Sequence, residues 1–159
     1  MQKQEYVEIM MQSLKKKLAV LGEIRIKNEE QRILLLDENL NPEDFEKNIE
    51  SKAKLVESLS MLDEGFDNIY ERIREEINGN KEKYSDQIQK FQYLIRDITA
   101  ASSSIQAEER RNYQLAQSKF SDIKKQIREV KSSQSAVQQY YKNMMKVNYI
   151  DAQFMDDKK

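Results

Sequence analysis

Apolar residues recur along the first part of the chain at spacings of three and four. Val7, Met11, Leu14, Leu18, Leu21 and Ile24 make one stripe of a helix predicted over about 5–36. The stripe weakens over 27–32, and Ile33, Leu34, Leu35 and Leu36 then close the helix. Gly22 interrupts it and marks either a close helix approach or nothing; a glycine there costs roughly 1 kcal/mol against alanine. The following connection is strongly patterned. Asn41 can cap the next helix, Pro42 falls at its first position, and Glu43 and Asp44 sit at the positive end of its dipole. Leu40 and Phe45 stand where a hydrophobic staple would pair them.

A second helix is predicted over about 42–77. Its stripe is Phe45, Ile49, Val56, Leu59, Leu62, Phe66, Ile69, Ile73 and Ile77, with Ala53 filling one wide step. The spacing averages near 3.5, as in a left-handed coiled coil. Gly79 is placed to take the left-handed conformation that often ends a helix. A third helix starts near Lys81 and carries Tyr84, Ile88, Phe91, Ile95, Ile98 and Ile105. Residues 102–112 are polar and predict a register shift or kink before a second stripe begins at Leu115.

Two short connections predict three long antiparallel neighbours: an all-α, coiled-coil-like bundle. At 1.5 Å per residue the second helix is roughly 54 Å long, which brings Ala116 level with its start. The chain thus divides into a bundle core, 1–116, and a C-terminal helical extension, 117–159. That extension is not polar. Each large apolar side chain left in water forgoes about 1.5–3 kcal/mol. The segment must therefore fold back as a fourth core helix, pair with a second copy, or receive another protein. The Tyr- and Met-rich stretch 136–155 suits protein contact. The candidate partner-binding residues are Phe120, Ile123, Ile127, Val130, Val137, Tyr140, Tyr141, Met144, Tyr149 and Phe154.

Composition then narrows the chemistry. With no cysteine there is no disulfide, thiolate metal site or thiol nucleophile. With no histidine the commonest general base and metal ligand is missing. No cofactor, metal or catalytic role is expected. A carboxylate metal enzyme on a helical bundle would use Glu-x-x-His pairs, which this chain cannot supply. Glu75-Glu76 and Glu108-Glu109 read as solvated surface, since adjacent helical positions diverge, and Arg110-Arg111 could answer them locally. Lys+Arg and Asp+Glu number 27 and 28, so nothing suggests a nucleic-acid partner. Lys15-Lys16-Lys17, the one compact basic run, reads as a solvated face. No stretch approaches the ~18 apolar residues of a membrane span, and no signal region follows the first residues. A soluble cytoplasmic protein without membrane insertion is the expectation.

Phe45, Ile49, Lys52, Leu55, Val56, Leu59, Leu62 and Asp63 follow the pattern LxxxLxxKxxLVxxLxxLD. With the closing YYKNMMKVNYIDAQFMDDKK, this resembles flagellar export chaperones of the FlgN type. The resemblance covers about 40–80 and 136–159. It implies a cytoplasmic chaperone that grips the helical ends of unassembled hook-filament junction proteins and delivers them to the type III secretion apparatus. The FliT-like sister chaperone of the filament cap shares this architecture and is not separated from it. A generic coiled-coil adaptor that homodimerises explains the stripes equally well.

Overall fold

The computed structural model describes residues 3–119 as three helices: α1, Lys3–Leu36; α2, Pro42–Gly79; and α3, Ser85–Lys119. Among these residues there is no strand. The α1–α2 connection forms as its residues dictate. Asn41 is extended and accepts from the Glu43 backbone N–H at 2.9 Å, with Pro42 opening the helix. Leu40 packs on the cluster of Leu35, Phe45 and Ala116, which completes the staple. Ala116 therefore lies at the start of α2, the level that the rise per residue gives.

α1 is the common element and packs against both α2 and α3. It runs antiparallel to α2, as Lys3–Glu76 and Lys17–Asp63 show, but parallel to α3, as Arg25–Glu108 and Asn28–Asn112 show. Successive helices therefore alternate in direction, as expected of an all-α antiparallel bundle, but α2 and α3 are not close neighbours. α2 and α3 stay apart at backbone level, and long side chains such as Lys52 and Glu109 span the gap.

Each helix buries one seam of alternating threes and fours. On α1 it is Val7, Met10, Leu14, Lys17, Leu21, Ile24, Asn28, Gln31 and Leu35. On α2 it is Phe45, Asn48, Lys52, Val56, Leu59, Asp63, Phe66, Tyr70, Ile73 and Ile77. On α3 it continues through Ser102, Ile105, Glu109, Asn112 and Ala116 without a break. The predicted register shift over 102–112 is therefore wrong: polar residues simply occupy seam positions. Lys52, not Ala53, fills the wide step of α2, and Ala53 is exposed. Of the closing run on α1, Leu35 is buried while Ile33 and Leu36 face outward.

The end of α2 is also corrected. No glycine among the described residues has positive φ. Instead Asn80 caps the helix: its N–H reaches the Ile77 carbonyl, and its side-chain amide donates to the Glu76 carbonyl. Those carbonyls are satisfied without a left-handed residue. A turn over 80–84 then delays α3 to Ser85. Gly22 and Gly65 meet nothing within 4 Å of an added Cβ, so neither marks a close approach. Gly22→Ala and Gly65→Ala should each raise unfolding free energy by about 1 kcal/mol in a denaturant titration. An unchanged or lowered midpoint would mean the helices are irregular there.

Candidate functional site

The apolar core is divided. A large cluster runs from Val7 to Ile24 on α1 with its facing residues, and a small one surrounds Leu35, Phe45 and Ala116. Between them lies a polar layer built by all three helices. Lys52 pairs with Glu109 and donates to Gln31 Oε1 at 3.3 Å. Asn112 Nδ2 donates to the same Gln31 oxygen at 3.1 Å and to the Asn28 carbonyl at 2.9 Å. Asn48 Nδ2 donates to the Lys27 carbonyl at 2.9 Å. At the rim, Glu108 accepts from Asn28 and from Arg25. A second buried pair, Lys17–Asp63 at 2.6 Å, sits further along α1 and α2.

Three surface readings of these charges change. Lys17 is 2% exposed and belongs to the core, while Lys15 and Lys16 are exposed. Glu109 is buried on Lys52 rather than solvated. Arg111 lies next to these acids in sequence but donates to Asn112. For Lys17 and Glu109 the cause is the same: seam position, not residue type, fixes what a side chain meets.

Burial holds the ammonium groups of Lys17 and Lys52 below the ordinary lysine value of 10.5, with Asp63 and Glu109 respectively opposing that shift. Between the lowered folded value and 10.5, the unfolded chain binds more protons than the folded one. The Lys52 contribution to stability therefore rises with pH in that window and is lost again as pH falls through the folded value. A Lys52→Met/Glu109→Leu variant lacks this dependence. Its stability relative to the parent should decline steadily in alkaline denaturation series approaching 10.5. A widening advantage would contradict the assignment.

The outer side of the α1–α2 pair carries a trough. One hollow of about 360 Å³ is lined by Lys27, Glu30, Ile33, Leu34, Asp44, Lys47, Asn48 and Ser51. A second, of about 330 Å³, is lined by Glu23, Ile26, Lys27, Ser51, Lys54, Leu55 and Ser58. They share Lys27 and Ser51 and so adjoin. From Glu23 to Leu34 the trough spans roughly 16 Å, about three helical turns. Ile26 and Ile33 on its α1 side are 62% and 58% exposed. Its rim carries both signs of charge: Lys27, Lys47 and Lys54 against Glu23, Glu30 and Asp44.

Comparison with protein-family models, curated proteins and solved structures finds no match to any of the three. The trough and the polar layer stand on geometry alone. The sequence-predicted contact residues Phe120, Ile123, Ile127, Val130, Val137, Tyr140, Tyr141, Met144, Tyr149 and Phe154 lie outside the described residues. Among the described residues no cluster of acids could hold a metal ion, and no helix is long and apolar enough to cross a membrane. The trough itself escaped the sequence reading because Ile26 was not on the core stripe. An apolar residue off the stripe, seven positions before Ile33, was the available signal.

Proposed function

We propose that this chain is a non-catalytic helix-binding protein that shields an amphipathic segment of another protein, as an export chaperone does. The observation supporting it is the α1–α2 trough, where Ile26, Ile33, Leu34 and Leu55 offer apolar contact between charged rims. An amphipathic helix laid there buries its apolar face and meets both signs of charge at the edges. The resemblance of 45–63 and of the closing residues to FlgN-type chaperones gives the reading its specific form. The cargo is then the helical end of a hook-filament junction or cap protein, held in the cytoplasm before delivery to the secretion apparatus. Phe45, Val56 and Leu59 of that pattern are buried in the bundle, so among the described residues the trough is the surface this reading uses.

Calorimetric titration of the full chain with the C-terminal helix of a hook-filament junction subunit tests this. Saturable binding is expected. Ile26→Asp and Ile33→Asp should each weaken it at least tenfold while leaving the melting curve nearly unchanged, because both residues are exposed in the free chain. Removing one buried isoleucine forgoes about 1.5–3 kcal/mol, and tenfold in affinity is about 1.4 kcal/mol. Unaltered affinity in both variants would move the site elsewhere. Absence of binding, with self-association through the same face, would favour the homodimeric adaptor.

A further inference from the structure

We infer that the trough selects its guest by the sidedness of charge: it takes an amphipathic helix with basic residues along one flank of its apolar stripe and acidic residues along the other. This deepens the helix-binding reading and rests on it. The two rims differ in sign. On α1 the exposed rim charges are Glu23 and Glu30; on α2 they are chiefly Lys47 and Lys54. Each hollow draws one from each side, Glu30 with Lys47 in the first and Glu23 with Lys54 in the second. The members of each rim are one heptad apart, roughly 10 Å along the helix, the spacing at which a packed helix repeats its flanking charges. Ile26 and Ile33 share that spacing on α1.

Two further charges line the first hollow without reversing this. Lys27 is half-buried and bonds back to Glu30 at 3.1 Å. A pair with both ends partly in water is worth little and yields to a guest charge. Asp44 lies in the first turn of α2, at the positive end of its dipole. Among the described residues no ion pair engages Glu23, Lys47 or Lys54. The next heptad positions, Lys16 on α1 and Met61 on α2, end the pattern and limit the footprint to two heptads.

The direction of the guest follows from the same geometry. Its flanks lie on either side of the apolar stripe, so turning it end for end exchanges them. A guest with opposite flanks meets attraction on both rims in one direction and repulsion on both in the other. A guest with like flanks meets repulsion on one rim in either direction.

Three designed peptides of about 21 residues, long enough to form helix, test this on the full-length protein. They share a leucine stripe and differ only in the flanks: lysine on one and glutamate on the other, glutamate on both, or lysine on both. Calorimetric titration compares each peptide between the parent and two rim variants, so the peptide's own self-association cancels. Glu23→Lys/Glu30→Lys makes both rims basic. It should bind the all-glutamate peptide about tenfold tighter than the parent does, and the opposite-flank peptide about tenfold more weakly, as two contacts change sign. Lys47→Glu/Lys54→Glu should gain the all-lysine peptide in the same measure. All four substituted residues are exposed, so the core is untouched. Unchanged affinities in both variants would overturn the inference while leaving the helix-binding reading in place. Binding that Ile26→Asp leaves at full strength would also overturn it, by placing the peptide elsewhere. Failure of every peptide to bind parent and variants alike would overturn the helix-binding reading itself, and the inference with it.

Discussion

Glu109→Ala should lower unfolding free energy by about 3–5 kcal/mol, the largest loss expected from a single polar substitution in this chain. The side chain is 6% exposed and pairs with Lys52, itself 1% exposed. Removing the carboxylate leaves the ammonium buried, donating to Gln31 Oε1 at 3.3 Å but without its paired charge. The charge must then be lost, or the layer must open to water. Replacing both partners tells the other half. Lys52→Met/Glu109→Leu should fall within about 1 kcal/mol of the parent or exceed it, because a buried pair recovers little beyond its own desolvation. Equilibrium denaturation of the two variants decides the matter. A loss under about 1 kcal/mol for Glu109→Ala would show that Lys52 reaches solvent at little cost.

The second large effect is expected at Phe66. This ring is 3% exposed, belongs to the main apolar cluster and stacks on Tyr70 with centroids 6.2 Å apart. Phe66→Ala should cost about 3–5 kcal/mol, through lost transfer energy and the cavity left behind. Leu59→Ala, at a fully buried position of the same helix, should cost about 2–5 kcal/mol. Urea titration measures both. Losses under about 1 kcal/mol would mean that this face of α2 is solvated and that the seam is misassigned.

The polar layer has a consequence for alignment as well as stability. Sliding α2 by one heptad against α1 would carry Lys52 away from both Gln31 and Glu109 and place a buried charge among apolar side chains. Apolar seams alone tolerate such slips, and a polar seam residue penalises them. No donor among the described residues reaches Asn28 Oδ1 or Asn48 Oδ1. An unsatisfied buried acceptor costs about 1–3 kcal/mol. Apolar residues of similar volume often replace a buried ion pair without loss of stability, so the layer suits a role in register.

The helices and their first connection were legible because each rests on local chemistry. Asn41, Pro42 and the Leu40–Phe45 staple act within a few residues of one another, and apolar periodicity reports helix type without any tertiary knowledge. The misreadings share one cause. Following apolar residues alone led from Phe45 to Ile49 to Ala53, while the seam went from Phe45 to Asn48 to Lys52. It also read a register shift at 102–112, where the threes and fours continue through Ser102, Glu109 and Asn112. Whether a lysine on a seam is buried depends on a carboxylate 57 positions away, as with Lys52 and Glu109, and nothing local records that. Gly79 misled for a nearby reason: the neighbouring asparagine performs the cap. The trough could not be read from one helix, because its walls belong to two.

Chemical-shift mapping on titration with a helical cargo peptide tests the binding account most directly. The account predicts saturable changes concentrated at Glu23, Ile26, Ile33, Leu34 and Leu55, with the seam residues of α3 undisturbed. Changes confined to 120–155 with a silent trough, or no changes at saturating peptide, would contradict it.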